Sequence, residues 1–194
     1  MAITTYAELQ AAVASWLARD DLAAHIPDFI VLFEASACRR LRVRPAERAA
    51  TVAPANGEAA LPEDFLGVRR LTRNGASVDL AYVHPSALPA PAPGAPAVYT
   101  IEGGTLRVRP VDVAELTLVY RARTPGVASA LNWLFTHHPD AYLFGALAEA
   151  HLFDKDPESA AIWKARAEQV LNEIREVDFH YRGAMRVRVG GPTP

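Results

Sequence analysis

The hydrophobic pattern of this chain changes its period twice. Towards both ends, apolar residues recur every three or four positions, which is typical of amphipathic helices. Between about Ala49 and Arg123 this period disappears, and short runs rich in Val, Leu, Thr and Tyr alternate with Gly, Pro and Asn-Gly signals. The pattern therefore predicts helices on both sides of a central β region.

Two helices are predicted before the β region. The first opens at a capping-box pattern formed by Thr5 and Glu8, and its apolar stripe runs to about Arg19. The second opens near Ile26, and Pro45 stops it. Four arginines crowd the last turns of this predicted helix, where cations suit the helix dipole: Arg39, Arg40, Arg42 and Arg44.

The central region carries seven candidate strands. Gly103-Gly104 favours a tight hairpin between two of them, and Asn74-Gly75 favours a second turn. The stretch Pro85–Pro96 contains five prolines, which cannot donate ladder hydrogen bonds, so a surface loop is expected there. The candidate strands are Ala49 to Val52, Glu58 to Leu61, Val68 to Arg73, Ser77 to Val83, Ala97 to Glu102, Thr105 to Pro110 and Glu115 to Arg121.

Two further helices are predicted after the β region. One opens at Pro139-Asp140 with apolar residues on most faces, and the last opens at Asp156-Pro157 and keeps its stripe to Val177. The expected fold is α+β: a mainly helical four-helix assembly with a small antiparallel β insertion between the second and third helices. The expected domains are a helical domain (1–48 and 124–180), an inserted β region (49–123) and an extended C-terminal tail (181–194).

Charge and cysteine content exclude several classes of protein. The 194 residues carry a formal net charge of −2, which argues against bulk electrostatic attachment to nucleic acid or to an anionic membrane. Cys38 is the only cysteine, so an internal disulfide or a multi-cysteine zinc site is excluded. No apolar run reaches the roughly 20 residues needed to cross a bilayer, and the start of the chain lacks a signal-peptide pattern. The protein is expected to be made in the cytoplasm and to have no membrane partner.

Motifs that carry chemistry are missing from the sequence. His137 and His138 are adjacent, so their side chains diverge, and His151 has no ligand one helical turn away. Asp154-Lys155-Asp156 resembles the start of a calcium loop but lacks the residues that complete one. Glu63-Asp64 is expected to be a solvated turn. We therefore expect no catalytic residues, no metal ligands, no cofactor and no enzymatic activity.

Two features of the sequence are compatible either with an ordinary solvated surface or with a surface that binds a partner. The basic cluster from Arg39 to Arg48 contains one acid, Glu47, and is either a solvated helix end with local ion pairs or an intersubunit or nucleic-acid contact. The Pro85–Pro96 stretch is either an ordinary surface loop or a contact element, because a proline-stiffened segment loses less entropy on docking.

Several segments of the chain resemble a known family. Thr5-Tyr6-Ala7-Glu8-Leu9-Gln10 and Ile26-Pro27-Asp28-Phe29-Ile30 are similar to its two entry helices, and Leu61-Pro62-Glu63-Asp64-Phe65-Leu66 is similar to the turn that leads into its β region. The closest match is Asn132-Trp133-Leu134 followed by His138-Pro139-Asp140-Ala141-Tyr142-Leu143-Phe144-Gly145-Ala146-Leu147-Ala148-Glu149-Ala150. In order and spacing, these segments resemble the head-to-tail adaptor, or head-completion, proteins of tailed bacteriophages.

The resemblance implies a structural virion protein, made in the bacterial host cytoplasm and located at the head–tail junction. Such a protein forms a homo-oligomeric ring, dodecameric in the virion, that binds the portal protein after genome packaging. The ring extends the channel for passing double-stranded DNA, which it contacts without sequence specificity, and it presents a docking surface to a tail or nozzle protein.

Two sets of site residues follow as hypotheses. The basic, unpatterned tail is expected to dock on the portal through Tyr181, Arg182, Met185, Arg186 and Arg188. The arginines Arg39, Arg40, Arg42 and Arg44 are expected to make intersubunit or channel contacts. The alternatives are another virion ring component, such as a tail terminator or stopper, or a soluble phage-encoded binding protein or enzyme.

Overall fold

The computed structural model describes residues 3–19 and 21–181 and divides into two compact units. A helical unit combines the chain up to Val43 with the chain from Pro125 onward, and a β unit comprises Arg44–Thr124. Each unit has its own cluster of buried apolar side chains.

The helical unit contains five α-helices in its described part. They are α1 (Tyr6–Leu17), α2 (Ile26–Arg40), α3 (Trp133–His137), α4 (Pro139–Phe153) and α5 (Pro157–Tyr181). The predicted capping box opens α1: the Glu8 backbone N–H donates to Thr5 Oγ1 over 3.2 Å, and the Glu8 carboxylate accepts from the Thr5 N–H over 3.0 Å.

Helix α4 lies at the centre of the helical unit, and α1, α2 and α5 all pack against it. Seven residues of α4 are buried, which explains why its sequence is apolar on most faces. Helices α2 and α4 pack closely at Gly145, where an added Cβ would lie 1.9 Å from Cδ2 of Phe33 on α2. Only glycine allows these two helices to pack at this distance.

The β unit contains seven strands in two sheets. They are β1 (Glu47–Val52), β2 (Glu58–Ala60), β3 (Phe65–Arg73), β4 (Ala81–Tyr82), β5 (Val98–Glu102), β6 (Thr105–Arg109) and β7 (Leu116–Ala122). One sheet has the order β1-β7-β3 and the other the order β2-β6-β5-β4. Side chains from both sheets, among them Leu71, Leu106, Val108, Leu116 and Leu118, form a common core.

Turn residues behave as the sequence predicted. Gly103 and Gly104 have positive φ angles of 58° and 83° and join β5 to β6 in an antiparallel hairpin. Gly75 also has a positive φ, 74°, in the turn that follows β3. The Pro85–Pro96 stretch contains one short 3-10 turn and otherwise no regular structure, as expected for a proline-rich loop.

The expected fold is wrong in three respects, although the chain is α+β overall. The described helices number five because Asn132 caps an additional short helix, α3, which the single residue His138 separates from α4. The β region is not a small insertion, since strands make up 22% of the described residues against 45% helix and they form two sheets. The β region is also not purely antiparallel, because β4 and β5 pair in parallel. A mainly helical four-helix assembly does not describe this protein.

Candidate interaction site

A groove runs along α4 between α2 and α5. It encloses about 320 Å³. Helices α2 and α5 both pack on α4, but no extensive contact joins them to each other in the described residues, so this flank of α4 stays open. The groove is lined mainly by small and apolar side chains, including Phe33, Ser36, Gly145, Ala148, Leu152 and Ala161.

An ion pair closes one end of the groove. The Arg40 guanidinium on α2 donates from two nitrogens to the two carboxylate oxygens of Glu168 on α5. This pairing lowers the pKa of Glu168 and raises the pKa of Arg40, in each case chiefly through the hydrogen bond between them. The pair joins the end of α2 to the middle of α5. About a third of each side chain is exposed, so solvent screens the pair and its contribution to stability is small.

The opposite flank of α5 is closed by aromatic side chains. The Trp16 ring on α1 lies 5.5 Å from Trp163 and 6.3 Å from Phe144, measured between ring centroids. The Arg166 guanidinium lies 5.4 Å from the centroid of Trp163. Trp16 remains 51% exposed, so this aromatic surface, defined by these four residues, faces solvent.

A second cavity, of about 230 Å³, lies where α2 ends and α5 continues past it. Arg40, Arg42 and Arg175 line it together with Val43, Asp178 and Phe179. The structure therefore brings two arginines of the predicted basic cluster to the side of α5. Arg39 is exposed on α2, whereas Arg44 is the first residue of the β unit.

The predicted tail lies almost wholly beyond the described residues. Tyr181 is the last residue of α5, and Arg182, Met185, Arg186 and Arg188 fall outside the part of the chain that the structure describes. The segment that carries them continues from the end of the helix that borders the arginine-lined cavity.

Residues 4–189 match the family described as SU10 adaptor protein. The chain belongs to this SU10 adaptor protein family. The match spans both units and confirms the resemblance to phage head-to-tail adaptors. The chain is therefore a phage adaptor, a structural component of the virion that interacts with other virion proteins. No curated protein matches the sequence.

A buried polar cluster in this adaptor was not foreseen from the sequence. Glu34 Oε1 accepts hydrogen bonds from the Tyr142 hydroxyl at 2.6 Å, the Asn132 side-chain amide at 2.9 Å and the Val127 N–H at 3.0 Å. Burial, and then the bond to Glu34, raises the pKa of Tyr142 far above its ordinary value. The cluster fixes the segment before α3 against α2 and α4. The one sequence feature that pointed to the cluster is Glu34 itself, an acid within the apolar stripe of α2.

Two polar residues that the sequence analysis considered, Asp64 and His151, have structural partners. Asp64 accepts from Arg48 at 2.7 Å and from the Tyr120 hydroxyl at 2.8 Å, so it anchors a turn in the β unit. His151 Nδ1 lies 3.4 Å from Asp156 Oδ2.

Across residues 3–19 and 21–181, no group of three or more His, Cys, Asp or Glu side chains could hold a metal ion. No helix in that part of the chain is both long and apolar enough to cross a bilayer.

Proposed function

We propose that copies of this chain form a closed ring at the head–tail junction, join the portal to the tail, and continue the DNA channel. The observation that carries the proposal is the match to the SU10 adaptor protein family over residues 4–189. The ring in the virion is dodecameric, its neighbours are the portal protein and a tail or nozzle protein, and double-stranded DNA passes through it without sequence-specific contacts.

Two properties of the chain support a ring. The helical unit exposes two different surfaces, the open groove beside α2 and the aromatic surface on the other flank of α5. Contact between unlike surfaces of successive copies is the head-to-tail arrangement that closes rings. The net charge of −2 suits a channel wall past which DNA must slide without being held by phosphate contacts.

The tail hypothesis is a further part of the proposal. Tyr181, Arg182, Met185, Arg186 and Arg188 dock on the portal, and the segment orders as it binds. It is supported by the path of the chain, because α5 ends at Tyr181 and its residues Arg175, Asp178 and Phe179 line the cavity that Arg40 and Arg42 also line. Arginine suits such contacts because its planar fork pairs with carboxylates in two-point geometry.

Truncation tests the tail. Purified chain ending at His180 is compared with full-length chain for binding to assembled portal, and a control carries a Gly/Ser segment of equal length in place of residues 181–194. Loss of portal binding in both altered chains, with unchanged circular dichroism, is the expected result. Undiminished binding by the truncated chain would rule the docking role out.

Arg39, Arg42 and Arg44 are proposed to make intersubunit or channel contacts, whereas Arg40 already pairs with Glu168 within the unit. Charge reversal distinguishes the two roles. Reversal of intersubunit arginines prevents ring formation, while reversal of channel arginines leaves rings intact and alters DNA retention in particles. Rings and particles indistinguishable from the unaltered ones would contradict both roles. The exchange Arg40→Glu with Glu168→Arg, which keeps the internal pair, serves as the matched control.

Two experiments separate this proposal from its alternatives. Cross-linking to the portal distinguishes an adaptor from a terminator or stopper placed elsewhere in the particle. Mass spectrometry of purified virions detects an adaptor and would not detect a soluble phage protein.

A further inference from the structure

The proline-rich loop of the β unit has an exposed and uniformly apolar surface. Residues 89–93, Pro-Ala-Pro-Ala-Pro, are all exposed. None of the three prolines has a backbone N–H, so the segment offers ring carbons and carbonyl groups to a partner. Aromatic side chains recognise proline-rich segments through the same features.

Hydrogen bonds to neighbouring segments of the β unit fix the position of this loop. At its far end the Val111 N–H donates to the Ala92 carbonyl over 3.0 Å. The Gly94 N–H donates to Asp112 Oδ2 over 2.7 Å, and the Asp112 N–H donates back to the Gly94 carbonyl over 3.0 Å. At its near end the Val83 N–H donates to the Tyr99 carbonyl of β5 over 2.9 Å. A segment anchored at both ends loses little entropy on docking.

The aromatic surface on the helical unit has the complementary chemistry. Trp16, Phe144 and Trp163 lie with ring centroids 5.5 to 6.3 Å apart, and half of Trp16 is open to solvent. Exposed indole rings present flat faces for proline rings and N–H donors for carbonyl groups. Arg166 lies over this surface.

Charge also matches between the two surfaces. Asp112, at the base of the loop, is exposed and accepts a backbone N–H, while Arg166 is exposed and contacts aromatic rings. Among the residues that the structure describes, neither forms an ion pair. The proline loop therefore carries the negatively charged Asp112 at its base, and the aromatic surface carries the positively charged Arg166.

We infer that the occupant of the aromatic surface is the proline loop of a second copy of this chain. Pro89, Pro91 and Pro93 of one copy pack on Trp16 and Trp163 of its neighbour, and Asp112 pairs with Arg166. The inference deepens the proposed ring by naming one of its subunit contacts. Because the two surfaces differ, the contact is head-to-tail and repeats from copy to copy.

Cysteine cross-linking in purified virions tests this contact. In a Cys38→Ser background, Ala92→Cys marks the loop and Ile162→Cys, exposed one turn before Arg166, marks the aromatic surface. Treatment of the double variant with a short bismaleimide should produce a ladder of oligomers on a denaturing gel. Particles with either cysteine alone should produce no ladder. A double variant that stays monomeric, whether unlinked or linked internally, overturns the contact, and microscopy of the same particles reports independently on the ring.

Peptide binding gives a second measurement that does not depend on particle formation. A synthetic peptide of residues 84–97 should change the tryptophan fluorescence of the purified chain, and a peptide with alanine at positions 89, 91 and 93 should act at least tenfold more weakly. Trp16→Ala should abolish most of the response, whereas Leu32→Ala, which removes a similarly exposed apolar side chain, should leave it unchanged. Equal responses to the two peptides would refute the docking mode.

Discussion

A buried carboxylate is costly unless hydrogen-bond donors replace its water. Glu34 meets this requirement with donors from Tyr142, Asn132 and the Val127 backbone, and these residues lie about a hundred positions away along the chain. The cluster fixes the segment that re-enters the helical unit. The three donors of the cluster gave no sequence signal, since a hydrogen bond between distant residues depends on the completed fold. Only the acid in the apolar stripe of α2 hinted at it.

Tyr142→Phe should lower the free energy of unfolding by about 1–3 kcal/mol. The substitution keeps the buried ring but removes the shortest hydrogen bond to Glu34, leaving a buried acceptor with fewer donors. Chemical denaturation followed by circular dichroism measures the change. Tyr82→Phe, at a ring that is 58% exposed, should stay within about 0.5 kcal/mol of the original chain. A Tyr142→Phe chain of undiminished stability would show that the cluster does not hold the fold together.

The same tyrosine should make the protein sensitive to alkali. Burial raises the pKa of folded Tyr142 above its ordinary value of 10.0, so above that pH the unfolded chain loses a proton that the folded chain keeps. The contribution of Tyr142 to the free energy of unfolding is therefore fully present below pH 10 and is lost as the pH rises further. Denaturation midpoints measured from pH 9 to pH 11.5 should fall less steeply for Tyr142→Phe than for the original chain, and parallel curves would contradict this explanation.

Local signals predicted the elements that depend on local chemistry. The capping box of α1, the Gly103-Gly104 hairpin and the proline loop follow from a few neighbouring residues each, and they were found as expected. Helix α3 and the parallel pairing of β4 were missed. A helix of five residues shows no period, and a strand of two residues is defined only by its partner.

Two glycines in the β unit offer a matched comparison. Gly57 and Gly75 have nearly the same positive φ, 77° and 74°, so alanine pays a similar backbone cost at either site. An added Cβ at Gly57 would lie 2.7 Å from Arg109 Nη1 and 2.8 Å from the Val108 carbonyl, whereas one at Gly75 would meet nothing within 4 Å. Gly57→Ala should therefore destabilise the β unit by about 2–4 kcal/mol, against about 1 kcal/mol for Gly75→Ala. Thermal unfolding of the two variants measures the difference. Equal losses of stability would show that the atoms around Gly57 move aside at no cost.

The β unit is built so that the chain enters and leaves through neighbouring strands. Glu47 at the start of β1 pairs with Arg121 near the end of β7, and the unit has its own core. Residues 44–124 expressed alone should therefore fold, giving a dispersed amide NMR spectrum and a cooperative unfolding transition. The control is the same segment with Leu118→Asp, which places a charge in the core. A collapsed spectrum from the unaltered segment would show that the β unit needs the helical unit to fold.

The order of helical and β patterning predicted helices on both sides of a β region, and the family resemblance indicated an adaptor. The sequence could not show that the β region forms two sheets around one core, because sheet order depends on contacts between strands far apart in the chain. It also could not show the open groove beside α4, which exists because α2 and α5 flank that helix without covering it.

Electron microscopy of particles produced without this chain tests the proposed place at the head–tail junction most directly. The gene is deleted from the phage genome, and a control restores the chain from a plasmid. We expect DNA-filled or leaking heads that lack tails, and recovery of tailed particles in the control. Intact tailed virions in the absence of the chain would contradict the proposal that it joins the portal to the tail.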